Sequence, residues 1–198
     1  FKTQQVLSFR AESFTSPGIS VDPSGAHFYF DVLGEIYRVA LSGGEAELLE
    51  LGPGWKRMPR ISPRGDMLAY LNDTGDGVGL WVKDLSNAHT LPYPAWQMPF
   101  QDLYSWEWQS ADTLAFNQGE AINKRVSGIA LVRVSEESAI ALTPREPRSH
   151  LPANVIGSAR AGRSLLLARL SARNSILELD TITGIERPLK AESIPKWD

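Results

Sequence analysis

Short apolar segments alternate with turn-forming residues along this chain, and the pattern recurs after forty residues. A mostly apolar run, residues 26–30, follows Asp22-Pro-Ser-Gly25, and residues 67–70 follow Ser62-Pro-Arg-Gly65 in the same way. Pro and Gly suit particular positions of tight turns, whereas Val, Ile, Tyr and Phe favour half-buried strands. The pattern therefore predicts repeated units of four short β-strands.

A fixed period of this length in strand-rich units is typical of β-propeller blades. We expect an all-β fold in a single domain over residues 1–198, with blades at about 14–51, 60–92, 103–143 and 154–190. No segment shows a helical pattern. The chain is then either a compact propeller of about four blades or an arc of a larger ring.

The two ends of the chain are expected to belong to an incomplete closing blade, to which residues 1–13 and 191–198 contribute. Residues 5–10 alternate as a strand does, and unpaired strand edges are normally covered because they promote aggregation. We expect that the ring does not close on itself. Another polypeptide, the remainder of a longer chain or a second copy would complete it; in the alternative, residues 5–10 pair at the edge of the fourth unit.

The turn sequences resemble those of a known repeat. Asp22-Pro-Ser-Gly25 and Ser62-Pro-Arg-Gly65 are similar to the Ser-Pro-Asp-Gly signature of TolB-type, WD40-like repeats. Three further segments, residues 30–37, 42–46 and 52–63, resemble the N-terminal propeller of large exported amidohydrolase-related proteins. The resemblance covers the first two units well and the last two only in outline.

The resemblance implies a function for the chain as part of a larger protein. In the amidohydrolase-related proteins the propeller precedes a separate metal-dependent hydrolase domain, and similar propellers accompany serine peptidases of the prolyl oligopeptidase and tricorn kinds. It also implies export, with a periplasmic location, although nothing in the sequence excludes the cytoplasm.

Charge and composition argue against several kinds of function and site. The chain has a net charge of −3 and a pI near 5.7, which argues against a nucleic-acid surface, since such surfaces carry a basic excess. No apolar run approaches the roughly 18–20 residues of a membrane span. The chain has no cysteine, which excludes disulfides and thiolate metal sites.

The motifs of hydrolase chemistry are missing from this chain. Metal-dependent hydrolysis by an amidohydrolase needs a His-x-His pair, but His27, His89 and His150 lie far apart in the sequence. A Gly-x-Ser-x-Gly nucleophile elbow is absent, and the segment 157–162 has the wrong spacing. We therefore expect neither catalytic residues nor a cofactor nor a metal site in this chain, while a parent or partner protein could be an amidohydrolase-like hydrolase.

A calcium site is one interpretation of the Gly-rich segment 71–78. Asn72, Asp73 and Asp76 could offer oxygen ligands, but the glutamate that ends an EF-type loop is absent. A plain polar turn is the favoured interpretation.

One propeller face is the expected binding surface. Loops between second and third strands share it with the connections between blades, and such loops carry function on β scaffolds. Trp and Arg are enriched at binding hot spots, although Trp55 and Trp96 could equally wedge between blades. The binding-face candidates are Asp31, Trp55, Arg57, Met58, Asp73, Asp76, Trp96, Tyr104, Glu120, Arg125, Arg148 and His150.

Three functional hypotheses remain at this point. The first is a non-catalytic module that binds a protein or peptide, or gates substrate, within a hydrolase assembly. The second is the propeller of a serine peptidase, or an enzyme with an unfamiliar site built from loop carboxylates and His150. The third is an interaction protein of the TolB kind that holds a partner peptide in its central channel. None of the three involves nucleic acid or a membrane span.

Overall fold

The computed structural model describes residues 19–87, 89, 92–97, 106–119, 127–135, 140–141, 153–159, 162–169 and 175–189. Every regular element in these ranges is a β-strand, and the sixteen strands form four antiparallel sheets of four strands each. The expected all-β fold is therefore confirmed. Across the same ranges, no helix has the length and apolar character needed to cross a membrane.

Each sheet is built from four strands that are consecutive in the chain. The first sheet contains β1 (Ile19–Val21), β2 (His27–Val32), β3 (Glu35–Ala40) and β4 (Glu47–Leu48). The second contains β5 (Trp55–Ile61), β6 (Met67–Asp73), β7 (Val78–Asp84) and β8 (Tyr93–Gln97). The third contains β9 (Trp106–Trp108), β10 (Thr113–Gly119), β11 (Ser127–Arg133) and β12 (Ile140–Ala141). The fourth contains β13 (Ala153–Ala159), β14 (Ser164–Arg169), β15 (Ser175–Asp180) and β16 (Glu186–Pro188).

The repeated turn sequence builds the same turn twice. Gly25 N donates to Asp22 O at 2.9 Å, and Gly65 N donates to Ser62 O at 2.9 Å. Both glycines have positive φ, +70° and +79°, which glycine adopts without steric cost. The side chain of the first residue in each turn also accepts a backbone hydrogen bond: Asp22 Oδ2 accepts from His27 N at 2.9 Å, and Ser62 Oγ accepts from Met67 N at 3.1 Å. The forty-residue period therefore reports a recurrent turn between the first two strands of a sheet.

Three hydrophobic clusters fill the spaces between successive sheets, and we call each such space a joint. The first joint packs one face of the first sheet against the second sheet, with Tyr29, Ile36, Ile61, Leu68 and Tyr70 in its core. The second joint lies between the second and third sheets and includes Leu71, Leu80, Val82, Trp106, Trp108, Leu114 and Phe116. The third lies between the third and fourth sheets and includes Ala115, Ile129, Val155, Leu165, Leu167, Leu177 and Leu179. Full burial of one large apolar side chain stabilises the fold by about 1.5–3 kcal/mol, so the joints dominate its stability.

Two connections are shorter than the sequence suggests. Asp31 belongs to β2, so the first hairpin turns through Leu33 and Gly34 alone. Both residues have positive φ, +52° and +81°, which is the backbone of a type I′ turn. The polar segment 71–78 narrows to a turn at 74–77, because β6 extends to Asp73 and β7 begins at Val78.

Candidate functional site

A backbone irregularity in β5 brings the first and second sheets together. The register of β5 on β6 shifts between Arg57 and Arg60, so the strand bulges there. Met58, inside the bulge, has φ +57°, a value that non-glycine residues rarely adopt. Its backbone N–H donates to Asp31 Oδ1 at 3.1 Å, from the second sheet to the first. Burial raises the pKa of Asp31, and the bond from Met58 together with the charges of Arg57 and Arg60 acts in the opposite direction.

Trp55 lies at the start of β5 against the first hairpin turn. A Cβ atom added to Gly34 would lie 2.7 Å from the Trp55 ring, so the glycine allows the indole to pack on the backbone. The side chain is nevertheless 56% exposed. Trp55 is therefore both a wedge between sheets and a solvent-facing aromatic surface. We call Asp31, Trp55, Arg57 and Met58 together the β5 edge.

Lys56, the residue between Trp55 and Arg57, is 1% exposed. Its Nζ donates to Glu35 Oε2 and to Gly54 O, both at 3.0 Å. Asn72 supports the same loop, since its Nδ2 donates to Pro53 O at 3.1 Å. Buried charges are tolerated when they are paired and hydrogen-bonded, and here the pairing fixes the loop that precedes β5.

A second polar group links β5 to β9. Arg60 Nε lies 3.6 Å from Glu107 Oε2, and the guanidinium carbon lies 5.9 Å from the ring centroid of Trp106. The Arg60 carbonyl accepts from Trp108 Nε1 at 2.9 Å. Burial raises the pKa of Glu107, against the bond from Trp108 N and the charge of Arg60. We call Arg60, Trp106 and Glu107 the inner cluster.

Comparison with known proteins gives a fold rather than a sequence family, because no family model and no curated protein matches the sequence. The chain superposes on a candidate TolB from Agrobacterium tumefaciens with a TM-score of 0.69 at 15% identity, covering 87% of this chain and 61% of that one. TolB from Acinetobacter baumannii gives 0.62 at 16% identity, with 87% and 42% covered. The fold is a TolB-type β-propeller. The four sheets are its blades, and the chain spans less than two thirds of the length of either TolB structure.

The solved structure of an enzyme is also similar to this chain. Acylaminoacyl peptidase from Pyrococcus horikoshii matches with a TM-score of 0.61 at 14% identity. The match covers 86% of this chain and 31% of the peptidase chain. At such identities the likeness establishes the propeller architecture alone. Function must therefore be argued from the side chains of this chain.

The propeller brings together four of the predicted binding residues, and these are the β5 edge. Asp73 lies beside them, because it is the register partner of Trp55. Asp73 Oδ1 accepts from Gly75 N at 2.9 Å, which is a polar turn of the favoured kind. Asp76 is exposed in the same turn. In the part of the chain that the structure describes, no group of three His, Cys, Asp or Glu residues could hold a metal ion.

The remaining predicted binding residues stay predictions. Trp96 lies in β8 of the second blade, where its register partner is Leu80. The others lie outside the described residues, and these are Tyr104, Glu120, Arg125, Arg148 and His150.

Three functional candidates, Lys56, Arg60 and Glu107, were not predicted, because their ion pairs join residues of two different sheets. The sequence does carry one signal for Glu107, which stands between two tryptophans in β9. Strand alternation places both indoles on one face and the carboxylate on the other. The face that carries Glu107 also carries Ala115, its register partner, which is buried in the third joint.

Proposed function

We propose that this chain is a non-catalytic propeller module that binds a segment of a partner polypeptide at the β5 edge. The observation that carries the proposal is Trp55, an exposed indole held in place against Gly34 and next to the exposed Arg57. A few residues carry most of the binding energy at protein interfaces, and Trp, Tyr and Arg are enriched among them. A side chain that is already held in place loses little conformational entropy on binding, so Trp55 is well suited as an anchor.

The chemistry of the edge favours a peptide with an apolar residue next to an acidic one. The Trp55 ring offers an apolar surface, and Arg57 offers a guanidinium that pairs with carboxylates in bidentate geometry. Asp31 accepts a hydrogen bond from the Met58 N–H and thereby stabilises the backbone of the β5 edge. These groups bind and orient a ligand.

The described histidines support a non-catalytic role. His27 Nδ1 lies 3.2 Å from Asp22 Oδ2, so the imidazole contacts the carboxylate that begins the repeated turn and has a structural role there. His89 is exposed beside its own loop, where its backbone N–H donates to Asn87 Oδ1. His150 lies outside the described residues and stays the residue on which an enzymatic alternative would depend.

We place the module in an exported, periplasmic hydrolase assembly of the amidohydrolase-related kind. The support is the resemblance of residues 30–37, 42–46 and 52–63 to the propellers of those proteins. A second candidate is the propeller domain of a serine peptidase. The fold match to the acylaminoacyl peptidase favours it, as does the match to a puromycin hydrolase with a TM-score of 0.59 that covers 91% of this chain.

Selection from a random peptide library on the purified 198-residue chain tests the binding proposal. Calorimetry of the selected peptides should show that Trp55→Ala weakens binding by about thirtyfold, the equivalent of a 2 kcal/mol anchor. Arg57→Ala should weaken acidic peptides preferentially. Ile182→Ala, an exposed apolar position in the fourth blade, is the matched control and should leave affinity unchanged.

Two results would contradict the proposal. One is a set of selected peptides whose affinity is the same for the native chain and the Trp55→Ala variant. The other is hydrolysis of amide, ester or peptide substrates by the purified chain that disappears in His150→Ala, which would favour an enzyme.

A further inference from the structure

The first hairpin turn places a leucine at the surface in an unfavourable backbone conformation. Leu33 has a φ of +52°, in the left-handed region that favours glycine and asparagine. Its side chain is 66% exposed, more than any other large apolar side chain described in the first two blades. Leu33 therefore contributes little to the core, and it occupies the turn position at which Asn is the preferred residue.

A second strained residue lies at the same junction of the two blades. Leu33 and Met58 are the two non-glycine residues with positive φ in the part of the chain that the structure describes. Leu33 follows Asp31 by two residues, and Asp31 accepts the hydrogen bond from the Met58 N–H. Strained residues cluster at binding sites, where function retains them at a cost in stability. Both outliers thus point to the surface that includes the β5 edge.

The corresponding turn of the second blade shows that a hairpin here does not need a leucine. In the turn 74–77 the positive φ values belong to Gly75 and Gly77, at +94° and +140°. The other two residues of that turn are Thr74 and Asp76, and both are exposed. Glycine and polar residues therefore suffice to connect β6 to β7. The leucine in the first blade calls for a reason other than folding.

Leu33 extends the apolar surface that Trp55 begins. It precedes Gly34, and a Cβ atom added to that glycine would lie 2.7 Å from the Trp55 ring. Trp55 is itself exposed, so two large apolar side chains meet water at this junction. The exposed Arg57 follows Trp55 by two residues in β5. An apolar surface next to a guanidinium is complementary to a segment that carries apolar and acidic side chains.

We propose that Leu33 is a second apolar contact of the β5 edge. The bound segment of the partner then carries two apolar side chains, one on Leu33 and one on Trp55, and an acidic residue for Arg57. This inference rests on the proposed function and adds to it one binding residue and one feature of the ligand. Leucine remains at a strained turn position because its side chain buries apolar surface of the ligand.

Substitution of Leu33 should change stability and affinity in opposite directions. Leu33→Asn should raise the urea midpoint of unfolding, yet weaken the binding of peptides selected on the native chain by about tenfold, through loss of one apolar contact. Leu33→Gly also accepts the positive φ and should weaken binding to a similar extent without adding a polar side chain. Leu48→Asn, at an exposed position of β4, is the matched control and should leave the affinity unchanged.

A second selection tests the feature of the ligand. Peptides selected from the same random library on the Leu33→Asn variant should retain one apolar residue beside the acidic one. Peptides selected on the native chain should carry a further apolar residue. Identical sequence preferences for the two proteins would overturn the role of Leu33 in specificity.

The Trp55→Ala variant distinguishes failure of this inference from failure of the proposed function. If Trp55→Ala weakens binding but both Leu33 variants bind as the native chain does, the proposed function stands and the role of Leu33 is wrong. If none of the three changes affects affinity, or if no peptide can be selected, both are wrong. Binding that depends on Leu33 but not on Trp55 would overturn the shared surface. Loss of affinity together with loss of stability in both Leu33 variants would assign Leu33 a structural role instead.

Discussion

Met58 and Asp31 are joined by a hydrogen bond from backbone to carboxylate, 3.1 Å long, although they are 27 residues apart in the chain. The bond connects the bulge in β5 of the second blade to the end of β2 in the first blade. It supplies the acceptor for an N–H that the bulge removes from the strand ladder. The shape of the β5 edge therefore depends on Asp31.

Removal of the Asp31 carboxylate should destabilise the fold. Asp31→Ala leaves the Met58 N–H without its acceptor, and an unsatisfied buried donor costs about 1–3 kcal/mol. Urea unfolding followed by tryptophan fluorescence measures the change. Asp76→Ala, at an exposed turn of the second blade, should change the free energy of unfolding by less than about 0.5 kcal/mol. Equal effects of the two substitutions would contradict a structural role for the bond.

Leu33 should be replaceable with a gain in stability. Its φ of +52° places a leucine in the left-handed region, in a turn whose first central position favours Asn. Left-handed backbone costs a non-glycine residue roughly 1–2 kcal/mol, and Asn lowers that cost. Leu33 is exposed, so little apolar burial is lost. Leu33→Asn should raise the free energy of unfolding by about 1 kcal/mol, whereas Leu48→Asn, in an ordinary strand, should not raise it.

Gly34 and Trp55 should be energetically coupled. Gly34→Ala places a methyl group against the indole in addition to straining a φ of +81°, and we expect a cost of about 2–5 kcal/mol. Gly25→Ala strains a φ of +70° with open space around it, so its cost should be about 1–2 kcal/mol.

A double-mutant cycle isolates that coupling. In a Trp55→Ala background the clash is absent, so Gly34→Ala should cost no more than Gly25→Ala does in the native chain. Additive effects of Gly34→Ala and Trp55→Ala would show that the ring does not pack on the turn.

Acid should destabilise the first turn through Asp22. The bond from Ser24 Oγ at 2.6 Å is the largest cause, and with the N–H groups of Ala26 and His27 it lowers the pKa of Asp22 to about 2 from 3.8. Between about pH 4 and pH 2 the Asp22 carboxyl group is protonated in the unfolded chain but still ionised in the folded chain. The contribution of Asp22 is therefore complete above about pH 4 and is lost as the pH falls through 2.

Unfolding at pH 5 and at pH 2.5 tests this dependence. Asp22→Asn should be less stable than the native chain at pH 5, and the difference should shrink at pH 2.5. Ser42→Ala, at an exposed turn position without a titratable side chain, should show no such convergence. A difference that is the same at both pH values would exclude Asp22 as the titrating group.

The elements that could be predicted from the sequence are those determined by neighbours in the chain. The turn Asp22-Pro-Ser-Gly25 and its repeat at 62–65 satisfy their hydrogen bonds locally, so their residues suffice to place the strands on either side. The start of β5 at Trp55 was harder to predict, because Arg60 begins the visible repeat. Pro59 and the bulge at Met58 obscure the strand signal, and the bond that holds the bulge comes from Asp31 in another blade.

The candidate site was predictable only where it is exposed. Residue type identified Trp55 and Arg57 as surface residues, although they lie in strand β5 and not in the expected connection between blades. The pairing of Arg60 with Glu107 joins two blades across 47 residues of sequence (107 − 60), and no local pattern encodes which cation meets which carboxylate.

The consecutive order of strands within each sheet has a consequence for how the chain acquires its structure. Even the widest of the described ladder pairs joins Thr113 to Arg133, only twenty residues apart (133 − 113). Closing such short loops costs little entropy, and chains rich in local contacts fold quickly. During synthesis each blade can therefore form hairpin by hairpin soon after it leaves the ribosome, before the next blade exists to cover the face that its joint will bury. Until then its apolar side chains are exposed to water, and exposed apolar surface of this kind promotes aggregation during folding.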